Sequence, residues 1–555
     1  MSKIFDMLVE KRGLDSDFLN PKYLSDENIF EYLPDMDCAI SKIIEAIEND
    51  VKIMVYGDYD VDGVTATTVM VDALKMAGAN DIVTMLPDRF VDGYGMSERC
   101  VERAQSEGVG LIITVDCGSN NSEVISKLKE AGIKTIVTDH HEVLGELPEA
   151  EAIVNPKRTD VNKTEREKVK KTGLIDLAGV GVAFMVACAL VKANKIKNGQ
   201  EKWLLDLVLI GTLCDSMTIS KINRELTFYG LKVLEKTRRP GLKELMRVVK
   251  ISKINAETIG FQIGPRLNAG GRIKSAEISL KLLMTESKTE AVKLAEELDR
   301  LNAKRREEQQ SALKEIADTG ADNLKKPVIV VAGEWHEGVL GIIAGRLVEK
   351  YHKPAFALSK VEAKDKNGDG VLNIYKGSGR SFGEFNLAEA IRKCKKDLLG
   401  GGGHAGACGL SLLPEKLQFF EKDVNDYYDS LKLKNQERFL KIAFDLDSEE
   451  LADFSVELLG ELKQLEPFGE GNLEPRFKLK NVKTVEVRKV GKDQNHLRLT
   501  VADKAGNKMT LVSFYAPEEW LNLEENLLLD VTISLMKNEW NGRVFAEGHI
   551  LDIVV

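Results

Sequence analysis

Apolar and polar positions along the chain follow several distinct patterns. From Val51 to Thr138, short apolar runs alternate with stretches of helical period. Strands are predicted at Lys52–Tyr56, Ile82–Leu86, Leu111–Val115 and Thr135–Thr138. Helices are predicted near Val64–Ala77, Met96–Ser106 and Ser122–Ala131. This alternation implies a parallel sheet with helices on both faces, in which ligands gather at the carboxyl ends of the strands. Residues 1–50 read as a helical lead-in with loops. The segment 161–171, VNKTEREKVKK, is charged throughout and is expected to be an exposed loop.

Helical periodicity dominates from Leu177 to Asp318. Glu286–Ile316 reads as one long amphipathic helix joining two domains, with its charges forming a solvated face. A second α/β pattern starts at Pro327: VIVVAG as a strand, Val339–Lys350 as a helix and Ala355–Ser359 as a strand. From about Ile442 five short alternating runs separated by turns predict a small β-barrel. The expected division is 1–50, 51–285, 286–320 (the connecting helix), 321–435 and 440–555.

A chain of 555 residues is too long for a single core. Hydrophobic residues at 43% and charged residues at 30% describe a water-soluble globular protein. No apolar run approaches the roughly 20 residues that span a bilayer, and the first residues, MSKIFDMLVEKRGLD, have no apolar signal core. Seven scattered cysteines without a CxxC pair argue against a disulfide framework or zinc ribbon, so a reducing cytoplasm is expected. A net charge of −10 does not by itself indicate a nucleic-acid binder, so any grip on phosphate must come from local basic clefts or metal ions.

The candidate chemistry lies at the predicted strand ends. The stretch VKIMVYGDYDVDG ends in Asp58, Asp60 and Asp62, bracketed by Gly57 and Gly63. Gly63 could supply the backbone angles of a tight turn. Like charges so close repel, and a divalent cation makes them favourable; taken alone, the stretch is equally a solvated acidic turn. Asp116 follows the predicted strand Leu111–Val115, and Asp139, His140 and His141 follow Thr135–Thr138; Asp215 follows the run LVLIGTLC. Together these oxygens and imidazole nitrogens could hold two divalent metals about 3.5–4 Å apart, bridged by one carboxylate, with Asp116 the best-placed candidate. Mixed oxygen and nitrogen ligation suits Mn2+ better than Mg2+. Cys117 and Cys214 read as packing residues rather than nucleophiles.

GDYDVDG, VDCGSN, VTDHHE and GTLCDSM resemble the four phosphoesterase motifs of the DHH family. GPRLNAGGRI (264–273), WHEGVLGIIAGRL (335–347), GSGRS (377–381), GGGHAGACG (401–409) and LEPFGEGNLEPRF (465–477) are similar to later motifs of that family's RecJ branch. One departure is Val61, where the family commonly has Ala. The resemblance implies an α/β fold: a parallel-sheet DHH domain and a DHHA1-type α/β domain joined by a long helix, then a C-terminal OB-fold β-barrel. It implies a metal-dependent, single-strand-specific 5′→3′ exodeoxyribonuclease of repair and recombination, releasing 5′-mononucleotides by hydrolysis with two Mn2+ (or Mg2+) ions. The runner-up is a DHH phosphodiesterase acting on short oligonucleotides or cyclic dinucleotides, and a third reading is a silent single-strand-binding scaffold.

The resemblance further implies roles for individual residues. Asp60, Asp62, Asp116, His140 and Asp215 match metal ligands, with Asp58 a further candidate. His141 matches a catalytic contact to metal or scissile phosphate, and Asp139 a residue orienting the imidazole beside it. Arg89, Ser378 and Arg380 resemble a 5′-phosphate pocket. Arg266, Asn268 and Arg272 match backbone-phosphate contacts, with a turn-forming role equally open for Asn268. His404, after its glycines, matches a substrate contact, while His336 is equally a structural histidine. Phe514, Tyr515 and Trp540 are candidates for base stacking or for core packing. A narrow passage between the two α/β domains would exclude duplex. The implied partners are single-stranded DNA, a single-stranded-DNA-binding protein and a RecQ-type helicase; no membrane association and a monomer are expected.

Overall fold

The structure, a computed structural model, describes residues 2–93, 95–319, 322–364, 371–433, 442–540 and 542–554. Five strands, β1 (Ile53–Tyr56), β2 (Ile82–Met85), β3 (Leu111–Val115), β4 (Lys134–Thr138) and β5 (Ala152–Val154), form the first sheet in the order β2-β1-β3-β4-β5. Every pairing is parallel. Alternate residues of β1 enter different cores: Ile53 and Val55 pack on one side, Met54 and Tyr56 on the other. That is why the strand reads as a continuous apolar run, the signature of a sheet covered on both faces.

The second sheet contains β6 (Ile329–Gly333), β7 (Ala355–Lys364), β8 (Val371–Arg380), β9 (Gly400–Gly403) and β10 (Ala407–Leu412), in the order β6-β7-β8-β10-β9. Only β6 and β7 pair in parallel. The helix Lys288–Thr319 runs between the two sheets' units in sequence. In the C-terminal unit, β12 (Arg476–Val490), β13 (His496–Ala502), β14 (Lys508–Ser513), β15 (Leu528–Trp540) and β16 (Arg543–Val554) close into a barrel through pairing of β12 with β15. A short strand, β11 (Leu446–Ser448), adds parallel to β12.

Two expectations are corrected. The segment read as a loop at 161–171 is mostly helix, Lys163–Thr172, started by an Asn162 side-chain cap and ended by Gly173 at φ 82°. It buries only Val169, so it carries no apolar stripe, and the cap residues were its signal. Residues 1–50 are not one lead-in. Ile4, Phe5 and Leu8 of the helix Lys3–Arg12 complete the barrel core, whereas Leu24 to Ala46 join the first α/β core. Arg12 fixes the first helix to the barrel unit through Asp445, with Nε 2.6 Å from Oδ1. The four glycines before His404, which the sequence left without an assigned element, form the edge strand β9. Among the described residues no helix is long and apolar enough to cross a membrane.

Candidate metal centre and phosphate pocket

The acids and histidines converge at the carboxyl ends of β1, β3 and β4. Asp58 leaves β1, and Asp60 caps the helix Val61–Met76 by accepting from the Gly63 amide at 3.0 Å. Gly63 lies inside this helix rather than in a turn. A Cβ there would fall 2.4 Å from the Asp58 carbonyl oxygen, so glycine is required by close approach. Asp62 is bound from another helix: the amides of Gly179 and Val180, opening Gly179–Lys192, donate to its two oxygens at 2.6 and 2.9 Å. Asp116 follows β3 at φ 59°, a strained angle for a residue with a side chain, of the kind that marks functional sites. Asp215 caps the end of Leu205–Cys214.

His140 Nε2 lies 3.1 Å from Asp116 Oδ1, 3.6 Å from Asp215 Oδ2 and 3.7 Å from Asp62 Oδ2. His141 Nδ1 lies 2.8 Å from Asp139 Oδ1 and 3.9 Å from Asp116 Oδ1. Asp58, Asp62, Asp116 and His140 are each at most 5% exposed. Burial, and then the neighbouring carboxylates, push the acids up: Asp62 to about 7 and Asp215 to about 8, with Asp58 and Asp116 also well above the usual range. Burial pushes His140 down to about 3. His141 moves the other way. Burial alone would lower it, but the hydrogen bond and charge of Asp139 outweigh that and raise it.

This donor set fits divalent cations. Asp116, His140 and His141; Asp62, His140 and Asp215; and Asp58, Asp60 and Asp116 each bring ligand atoms within 4.8 Å of one another. Asp116 and His140 each belong to two of these groups, and of the two Asp116 is the carboxylate that could be shared between ions. Asp58 Oδ1 and Asp116 Oδ1 are buried acceptors with no hydrogen-bond donor among the described residues, a cost that a bound cation removes. Asp139 stands behind the cage, accepting from the backbone amides of His140 and His141 as well as from the His141 ring.

Next to this centre lies a pocket of about 640 Å³, lined by Tyr59, Arg89, Ser378, the edge glycines Gly400 and Gly401, and Lys376, which pairs with Glu337 at 3.1 Å. Arg89 sits 5.1 Å over the Tyr59 ring, and Arg380 Nη1 donates to Ser378 Oγ at 3.1 Å. Burial and the charge of Arg89 lower both Arg272, to about 10, and Arg380. The charges of Arg89, Arg272 and Arg380 thus oppose one another, an arrangement an anion relieves. A second cavity of about 540 Å³ joins Cys214 and Ser216, beside Asp215, to Asn268, Arg272, Arg305 and Phe261.

Not every candidate converges. The Arg266 guanidinium is held by Asp299 at 2.8 Å and the Gln262 carbonyl. Asn268 lies within the helix Gly264–Ile273, so the turn-forming alternative is corrected. His404 is exposed beyond β9 and lines neither cavity. His336 Nδ1 accepts from the Gly338 amide at 3.1 Å, a capping role. Phe514 and Tyr515 are 58% and 78% exposed, which excludes core packing for both; the Trp540 side chain lies outside the described residues. Sequence reasoning missed Arg305. It sits on the long helix whose charges were read as a solvated face, yet its Nε is buried without a hydrogen-bond partner among the described residues. The only sequence signal was its place among basic neighbours.

A parallel sheet with carboxylates and imidazoles caged at its strand ends, beside an arginine-lined pocket, defines a metal-dependent phosphoesterase. Family models agree: the N-terminal domain of the DHH family matches residues 52–212, the DHHA1 domain 325–430 and the RecJ OB domain 445–552. The single-stranded-DNA-specific exonuclease RecJ of Bacillus subtilis (strain 168) is 36% identical over 564 residues, covering 99% of this chain and 67% of that one. RecJ of Escherichia coli (strain K12) is 33% identical, covering 86% and 83%. The crystal structure of RecJ from Thermus thermophilus with Mn2+ matches at a TM-score of 0.80 and 28% identity, covering 100% of this chain and 76% of that one. Its Mg2+ complex matches at 0.74 and 26%, covering 100% and 74%. The chain belongs to the RecJ family of DHH exonucleases.

Proposed function

We propose that the chain degrades single-stranded DNA from the 5′ end, releasing 5′-mononucleotides in repair and recombination. The observation that carries this reading is the convergence of Asp62, Asp116, Asp215 and His140 beside a pocket lined by Arg89 and Ser378, with Arg380 bonded to Ser378. Asp58, Asp60, Asp62, Asp116, His140 and Asp215 would hold two ions, Mn2+ or Mg2+. When bound, these activate water for attack and neutralise charge on the phosphate. The amides of Gly179 and Val180 keep Asp62 oriented, and Asp139 fixes the His141 ring toward the scissile group. Arg89, Ser378 and Arg380 would grip the terminal 5′-phosphate, which sets polarity by deciding which bond meets the ions. Arg272, Asn268 and Arg305 would contact the next phosphates, and Phe514 and Tyr515 would stack bases at the barrel.

In this reading 51–285 is the catalytic unit, 286–320 the connector, 321–435 the substrate-binding unit and 440–555 the barrel. The protein acts as a monomer in a reducing cytoplasm, with a single-stranded-DNA-binding protein and a RecQ-type helicase as partners. The match to the RecJ OB domain disfavours the short-oligonucleotide or cyclic-dinucleotide alternative. The deciding experiment is a labelled-oligonucleotide assay comparing single with double strands, DNA with RNA, and both end labels, with Mn2+ or Mg2+. Loss of label from the 5′ end of single-stranded DNA alone is expected. Degradation from the 3′ end, or equal attack on duplex, would overturn the reading.

A further inference from the structure

Asn155 follows β5, a strand the sequence pattern did not reveal, and its side chain is completely buried. Both hydrogens of its Nδ2 are used: one goes to Ser119 Oγ at 2.8 Å, the other to the His141 carbonyl oxygen at 2.9 Å. Its Oδ1 accepts from the Lys157 amide at 2.8 Å. The partners dictate the amide's orientation, because a carbonyl cannot donate and an amide N–H cannot accept. Ser119 in turn donates its backbone N–H to Asp139 Oδ2 at 2.9 Å, and Asp139 Oδ1 receives the His141 ring at 2.8 Å.

One buried amide therefore reaches His141 by two routes. It holds the residue's own carbonyl directly, and it holds the loop carrying the amide that orients the Asp139 carboxylate. With Asp139 on the Nδ1 side, the neutral His141 ring carries its proton on Nδ1 and keeps Nε2 as the unprotonated nitrogen. A ring that rotates or changes tautomer presents the wrong atom to a phosphate, however intact the carboxylate cage remains.

We infer that Asn155 is a positioning residue for His141, setting the ring's orientation and tautomer from behind through the His141 carbonyl and the Ser119–Asp139 link. This rests on the proposed role of His141 as a contact to the reacting phosphate. Asn155 has no hydrogen bond to Asp58, Asp60, Asp62, Asp116 or Asp215, so its effect on the centre runs through Asp139 and His141.

The test uses the full chain with Asn155→Ala and Asn155→Asp. The aspartate variant keeps the size of the side chain and its contact with the Lys157 amide, and it serves if the alanine variant does not fold. On 5′-phosphorylated single strands kcat should fall by roughly 10- to 100-fold, the usual cost of losing such a support. KM for the strand should stay within about twofold of the parent, and any loss of Mn2+ binding, followed by the paramagnetic signal of the free ion, should be no greater than in His141→Ala. In a His141→Ala background, Asn155→Ala should add less than about twofold, because the ring it positions is already gone. The inference is overturned if kcat is unchanged, if Mn2+ affinity falls further than in His141→Ala, or if the two substitutions multiply. An inactive parent protein would instead sink the proposed function, which keeps the two failures distinct.

Discussion

Gly179 and Asp116 share a space that admits only one side chain: a Cβ built on Gly179 would lie 2.5 Å from Asp116 Cβ and 2.6 Å from its Oδ1. The same glycine's amide donates to Asp62. One helix start thus sets the position of two carboxylates that reach the centre from different strand ends. Gly179→Ala should push Asp116 aside and weaken Mn2+ binding by roughly tenfold or more, with a matching loss of exonuclease activity. Titration of the purified variant with Mn2+ checks this; parental affinity would mean that the helix start yields instead.

Metal removal should be visible in stability as well as in activity. Like charges buried together are relieved by a cation that binds only the folded state, so Mn2+ should raise Tm and EDTA should lower it. Chelation should also abolish hydrolysis, and added Mn2+ restore it. Thermal melts with and without EDTA measure the first effect, strand degradation the second.

The same acids give the metal-free protein a pH signature. Asp62 and Asp215 titrate near 7 and 8 when folded, against 3.8 in an open chain. Between pH 6.5 and 8 the folded state therefore holds protons that the unfolded state has lost, and stability falls as pH rises. The raised His141 acts in the same direction. His140, shifted down from 6.5, acts oppositely, but only below that value. Tm of the metal-free protein should decline from pH 6.5 to 8, and saturating Mn2+ should flatten the slope. A metal-free Tm that rises over this interval would contradict the assignment.

Arg380→Ala should blur the distinction between 5′ ends. The parent is expected to favour 5′-phosphoryl over 5′-hydroxyl strands. Losing a charge-assisted contact of about 1.5–3 kcal/mol should cut kcat/KM for phosphorylated strands by roughly 10- to 100-fold and leave hydroxyl-ended strands nearly unchanged. Arg380→Lys should recover only part, because an ammonium lacks the guanidinium fork. Equal losses on both ends would move Arg380 out of the end pocket.

Much of this centre was legible because its residues sit where short apolar runs stop. Asp58, Asp116 and Asp139 each follow a strand that declares itself by hydrophobicity. What stayed hidden came from partners remote in sequence. The helix start at Gly179 gave no local hint that its amides meet Asp62, 117 positions away. β5 is too short for a period, so Asn155 went unread. Arg305 looked like one more charge on a solvated helix, though its Nε is buried beside the second cavity, and Ile4, Phe5 and Leu8 looked like a lead-in because their barrel partners lie more than 400 residues later.

Arg224 is the last residue with an experimental consequence. It is 1% exposed and has no carboxylate partner among the described residues. Its guanidinium donates instead to the carbonyls of Phe18, Gln464, Leu465 and Glu466 at 2.5–3.2 Å. It sits on the helix Lys221–Leu234 of the first unit, and its acceptors include the turn just ahead of the barrel. Burial lowers it to about 10, so it remains charged at neutral pH and must keep those acceptors. Arg224→Met would fill similar space yet leave buried carbonyls without donors, at roughly 1–3 kcal/mol for each left unsatisfied. Calorimetry should then show a lower Tm and a separate barrel transition. Affinity for long single strands should fall by about tenfold as barrel stacking is lost, while kcat on the shortest cleavable strands stays near the parent's. A single cooperative transition with unchanged affinity for long strands would show that other contacts, such as the Gly469 and Gly471 approach to Thr218 and Ile219, hold the barrel in place.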